Sequence, residues 1–147
     1  EQIAAIAERI VAAGQSLLVT RTDRASFDAV FKRVPKAEFH ELAKTITLVY
    51  GELPPGHGTI VVAAAGTADL PVAEEAAVSA ELMGNVVDRL YDVGVAGLHR
   101  LLAEHARLMA ARVIIVVAGM EGVEIDAVGC GRRDRSPFIA RLVKHEP

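Results

Sequence analysis

Four consecutive residues, Gly66-Thr67-Ala68-Asp69, stand between an aliphatic run and an alanine-rich helical pattern. A strand that feeds a helix through so tight a turn leaves the first backbone N–H groups of the helix without intrahelical partners. Such turns bind phosphates in α/β proteins, so Gly66, Thr67 and Ala68 form a candidate phosphate cradle. Asp69 has two readings. It is a natural N-cap for the following helix, supported by Pro71 at the helix start and by Glu74 and Glu75 early in it. It is also placed to face an open crevice at the carboxyl edge of the expected sheet. Two further groups carry titratable chemistry. His99 opens a second helical stretch and could move a proton near neutrality or bind a carboxylate, the alternative being a solvated surface histidine. Glu121 lies in the loop Gly119-Met120-Glu121-Gly122 after a third aliphatic run, at the carboxyl end of an expected parallel strand. Its alternative is a solvated loop acid. His105 shares a helical face with Leu98, Leu101, Leu102 and Met109 and reads as a packed or interface residue.

The elements that hold these groups follow from periodicity. Ile3, Ile6, Ile10 and Val11 recur at helical spacing and end at Gly14, and Ser16–Thr20 reads as a short strand. Phe27, Val30, Phe31 and Val34 make a second helix closed before Pro35, and Thr45–Tyr50 is rich in strand formers. Leu53-Pro54-Pro55-Gly56-His57-Gly58 marks a linker. Beyond it strands and helices alternate: strand 59–65, helix 70–83, strand 86–91, helix 96–110, strand 112–118. This pattern predicts a parallel sheet with right-handed crossovers. Ala73, Ala76, Ala77 and Ala80 form a small-residue stripe suited to close packing. After Gly122 the alternation stops. That segment holds a short strand-like run at Val123–Val128, a basic cluster at Arg132, Arg133 and Arg135, and a helical turn expected around Phe138–Val143.

Composition bounds the function. The 147 residues are 52% hydrophobic and 4% aromatic, with a net charge of −3, which suits a parallel α/β core and gives no basic footprint for nucleic acid. The aliphatic runs are too short to span a membrane, and Cys130 is the sole cysteine, so a reducing cytoplasm is the expected setting. The five histidines are scattered with no metal-ligand spacing.

Three motifs together resemble one family. Ala64–Ala76 reads AAGTADLPVAEEA, Tyr91–Leu102 reads YDVGVAGLHRLL, and Val116–Gly122 reads VVAGMEG. These resemble the LarB branch of the AIR carboxylase (PurE-like) superfamily, whose strand–helix turn takes the form G-S-x-S-D in PurE proteins and AAGTSDLPVAEEA in LarB proteins. The LLVTR run and the segment Phe39-His40-Glu41-Leu42-Ala43-Lys44-Thr45 are also LarB-like. The resemblance covers roughly residues 1–122. It implies a small α/β lobe at 1–54, part of a PurE-like, flavodoxin-like three-layer α/β/α parallel-sheet domain at 55–122, and a divergent tail at 123–147.

The function so implied is carboxylation of the pyridine ring of nicotinic acid adenine dinucleotide, with phosphoanhydride cleavage releasing AMP, in nickel-pincer nucleotide cofactor biosynthesis. Asp69, His99 and Glu121 would then be catalytic, and Gly66, Thr67, Ala68, Asp69, Gly119 and Met120 would bind the dinucleotide. Carbon dioxide or bicarbonate is the co-substrate, no resident cofactor is implied, and magnesium is the one ion left open. A homo-oligomer is expected. Ala68 departs from the serine usual in the family and removes one hydroxyl donor. The family's ALPSVV and PVIAVPTSVGYG segments and its catalytic cysteine have no counterpart, and Cys130 lies in unmatched sequence. The chain therefore reads as truncated after the Met120-Glu121-Gly122 motif, inactive alone, and prone to self-association through a bare edge at Val113–Val117. The alternatives are an AIR carboxylase of purine biosynthesis and a non-catalytic nucleotide-binding or oligomerising fragment.

Overall fold

The computed structural model describes residues 1–94, 98–119 and 138–142. The N-terminal part comprises helix α1 (Gln2–Ala12), strand β1 (Leu17–Val19), helix α2 (Arg24–Phe31) and strands β2 (Glu38–His40) and β3 (Thr45–Leu48). The three strands form an antiparallel sheet in the order β1-β3-β2. The β2 strand is an addition to the β-α-β pattern expected from sequence. At three residues it is too short for alternation to announce it. Ala4 and Ala7 of α1, Val30 of α2, and Leu17, Ile46 and Leu48 of the sheet make the core of this part. Phe27 stacks on Phe39 with ring centroids 5.4 Å apart, fastening α2 to β2.

The second part contains β4 (Thr59–Ala64), a 3-10 turn (Thr67–Asp69), α3 (Leu70–Leu82), β5 (Val86–Tyr91), α4 (Leu98–Ala103), α5 (His105–Ala110), β6 (Val113–Val117) and β7 (Phe138–Leu142). The strands form a four-stranded parallel sheet in the order β5-β4-β6-β7. Alternation along β4 explains its uninterrupted aliphatic sequence. Val62 and Ala64 pack with Ala73 and Ala77 of α3 on one face, while Val61 and Ala63 pack with Leu108 and Ala111 on the other. The result is a helix–sheet–helix arrangement, as the strand–helix alternation predicts.

Two expectations are corrected. Phe138–Leu142 is a strand rather than a helical turn, and it pairs in parallel with β6 from Val113↔Phe138 to Val117↔Leu142. The β6 edge expected to be bare is therefore covered. Five residues of mixed apolar and polar character fit either period, and pairing with a waiting edge decides for the strand. The helix expected over 96–110 is divided at Glu104, which has φ −90° and ψ 8°. Backbone bonding nevertheless runs on through the break, with the Glu104 N–H donating to Arg100 and the Leu108 N–H to Glu104. The Val123–Val128 run and the arginine cluster lie outside the described residues.

Helix α3 is buried or half-buried at every position from Leu70 to Ala80. It packs on β4, β5 and β6 and also lies beside β3 of the first sheet. Its alanines permit this double approach. The chain leaves α3 at Gly84, whose φ of 83° is left-handed, and a Cβ there would stand 2.0 Å from the Pro54 carbonyl oxygen. The Gly56 N–H in turn donates to the Gly84 carbonyl at 2.8 Å, so the linker is bound to the end of α3. Gly84→Ala must therefore break both geometries. A loss of more than about 1 kcal/mol is expected, read as a lowered urea midpoint at unchanged slope.

Candidate functional site at the carboxyl edge of the parallel sheet

Parallel strands send all their carboxyl ends to one edge, and here the ends are laced together. The Ala65 N–H donates to Val117 at 3.1 Å, and the Val93 and Gly94 N–H groups donate to Ala64 and Ala65 at 3.2 and 3.1 Å. Gly94 approaches so closely that a Cβ would lie 2.7 Å from the Ala65 carbonyl oxygen. Three strand ends thus converge on the segment that starts at Gly66.

Asp69 completes the lacing. Its Oδ2 accepts the Gly66 N–H at 3.2 Å and its Oδ1 accepts the Gly119 N–H at 3.0 Å. It is 7% exposed. The carboxylate expected in an open crevice is instead turned inward, and it makes no side-chain cap to α3. It joins the turn after β4 to the loop after β6. The physical reason is local. The 3-10 turn, closed by the Asp69 N–H on the Gly66 carbonyl at 3.1 Å, brings the side chain back over the turn's own start. Gly66, Asp69 and Gly119 are therefore brought together. Thr67 and Ala68 remain exposed at the head of the turn, and the Asp69 N–H is the first to find an acceptor within it.

His99 is exposed on α4. Its neighbour Arg100 pairs with Asp92 at 2.6 Å, beside a pocket of 220 Å³ lined by Tyr91, Asp92, Val93 and Glu104 at the end of β5. No hydrogen bond joins His99 to Asp69 or Gly119 among the described residues. His105 is exposed on α5, so the packed reading is corrected while the interface reading stays open. Met120 and Glu121 lie outside the described residues. Among those described, no group of three or more His, Cys, Asp or Glu side chains is disposed to hold a metal ion, and no helix is long and apolar enough to cross a membrane.

Sequence reasoning missed a polar cluster on the α3 face of β5. The Tyr91 hydroxyl donates to Glu74 at 2.8 Å, while Arg89 contacts Glu74 at 3.2 Å and Glu81 at 2.6 Å. Burial, followed by the Glu74 carboxylate, pushes the Tyr91 phenol well above its ordinary range, so it stays a donor through neutral pH. The Glu81 hydrogen bond raises Arg89 further. The spacing Glu74-x6-Glu81 places both acids on one side of α3, but only the pairing of that helix with β5 reveals their partners.

Comparison with known proteins bears on the first part of the chain. Residues 1–50 match the family described as LarB/PurE-like N-terminal domain. An uncharacterized protein of Methanocaldococcus jannaschii is 51% identical over 67 residues, which is 44% of this chain and 26% of that protein. The chain thus spans about a quarter of the length of that relative.

The Asp69 clamp yields a stability prediction. Asp69→Ala removes the acceptor of two backbone donors, and a loss of about 2–4 kcal/mol is expected on denaturant melting. Asp69→Asn keeps one carbonyl acceptor and should cost about half as much. Equal stability of all three proteins would mean that the clamp does not hold the edge.

Proposed function

We propose that this chain carries the N-terminal domain and the nucleotide-cradling edge of a LarB-type carboxylase and hydrolase acting on nicotinic acid adenine dinucleotide. The observation that carries the reading is the match of residues 1–50 to a LarB/PurE-like N-terminal domain. It is followed in the same chain by a parallel sheet whose first strand ends in Gly66-Thr67-Ala68-Asp69. In this reading the exposed Thr67 and Ala68 amides receive a phosphate of the dinucleotide, and Thr67 adds its hydroxyl. Asp69 is a positioning residue. By fixing Gly66 and Gly119 it sets the distance between the two loops that would flank the substrate. His99 handles the ring proton during carboxylation, while Glu121 acts as a catalytic acid and Met120 as a substrate-binding residue, as the LarB-like motif implies. Bicarbonate or carbon dioxide supplies the new carboxyl group, and AMP leaves on phosphoanhydride cleavage. A homo-oligomer fits the same reading. Leu102 and Met109 are 64% and 56% exposed on α4 and α5, an apolar surface suited to another copy.

The test is calorimetric titration of the 147-residue chain with nicotinic acid adenine dinucleotide, coupled to an assay for AMP. Saturable binding without bicarbonate-dependent AMP release is expected, since the family's covalent step uses a cysteine for which this sequence has no counterpart. Ala68→Ser should restore the missing donor and tighten binding by about 2- to 12-fold, the equivalent of one hydrogen bond of about 0.5–1.5 kcal/mol. Absence of binding by both proteins would overturn the proposal. Light scattering over a dilution series should give a mass that rises with concentration, and Leu102→Glu should lower it.

A further inference from the structure

A second cleft, of 560 Å³, lies between the first sheet and the opening turns of α3. Its walls include Arg21, Thr22, Ser26, Lys44 and, from α3, Pro71 and Glu75. Arg21 and Lys44 have φ of 52° and 50°. Long side chains rarely adopt this left-handed backbone, and where they do the surrounding structure holds them there. The Thr22 N–H donates to the Lys44 carbonyl at 2.9 Å, so the two cationic residues stand on adjoining, mutually tied segments. Both are exposed, and neither forms an ion pair among the described residues.

Between them sits an unusual group. Thr22 is only 7% exposed, and its hydroxyl, closed to the surface, has no hydrogen-bond partner among the described residues. A buried hydroxyl is ordinarily satisfied within the protein, and one left alone calls for a reason. Asp23, the nearest acid in sequence, spends its carboxylate on the Ser26 N–H at 2.8 Å, capping α2. Glu75 is the remaining acid on the cleft wall.

We propose that this cleft is an anion site that takes a phosphate group, held by the Arg21 guanidinium and the Lys44 ammonium. Arginine offers a planar fork to phosphate oxygens and lysine a mobile point charge, a pairing suited to an oxyanion of that size. The site is separate from the turn at Gly66–Asp69, and its occupancy does not depend on the dinucleotide reading. Glu75, on the cleft wall from α3, opposes the anion's charge and weakens its binding.

The experiment is titration of the 147-residue chain with inorganic diphosphate at low ionic strength, followed by calorimetry and by phosphorus NMR. Saturable binding that weakens with added salt is expected. Lys44→Gly and Arg21→Gly place at a left-handed backbone the residue that adopts it freely, so neither should melt earlier, yet each should lower diphosphate affinity at least tenfold. Thr22→Val is the control: replacing an unpartnered buried hydroxyl with a methyl group should raise the melting temperature and leave diphosphate affinity unchanged. Glu75→Gln should tighten diphosphate binding. AMP that competes with diphosphate would identify a nucleotide phosphate as the occupant, and failure of AMP to compete would identify free phosphate. Absence of diphosphate binding, or unchanged affinity in both glycine variants, would overturn the proposal.

Discussion

A single carboxylate holds the carboxyl edge of the parallel sheet. Asp69 accepts one backbone N–H from the turn after β4 and another from the loop after β6, fifty residues later in the chain. Strand pairing alone aligns β4 with β6 but leaves the loops beyond their ends free to splay. Two hydrogen bonds to a buried anion remove that freedom, and charge-assisted bonds of this kind are about twice as strong as neutral ones. The exposed Thr67 and Ala68 owe their fixed position to this clamp, because the 3-10 turn that presents them is the same turn that folds Asp69 back.

Helix α3 carries the consequence to the rest of the molecule. It starts at the clamp, packs through Ala73 and Ala77 on β4 and β6, and lies beside β3 of the first sheet. Its opposite ends meet different constraints. Pro71 and Glu75 line the cleft against Arg21 and Lys44, while Gly84 is bound to the linker at Gly56. One alanine-rich helix therefore links the antiparallel part, the parallel sheet and both candidate anion sites. Larger side chains along the stripe would separate the two sheets and open the cleft.

Much of this arrangement was legible in the sequence. Strands buried on both faces read as aliphatic runs, so β4 and β6 follow from pattern alone, and the alternation around them supplies β5, the helices between and the turn at Gly66–Asp69. Short or context-dependent elements did not. Three-residue β2 has no period to read, and Phe138–Leu142 becomes a strand only because β6 offers it an unpaired edge. The direction of the Asp69 side chain was misjudged for a related reason. An aspartate at a helix start has local N–H donors to choose from, and the Gly119 N–H that captures it lies fifty residues away. The meeting of Arg21 and Lys44 beside Thr22 was not legible in the sequence, since it depends on a backbone bond between distant segments and on the approach of α3.

The account rests on the strand–helix turn being a phosphate cradle, and amide chemical shifts report that directly. In a proton–nitrogen NMR titration of the isotopically labelled chain with nicotinic acid adenine dinucleotide, the largest changes should fall on the Thr67 and Ala68 amides. Gly66 and Gly119 should move with them through the Asp69 clamp. A titration in which these four amides stay still, while the protein remains folded, would contradict the account.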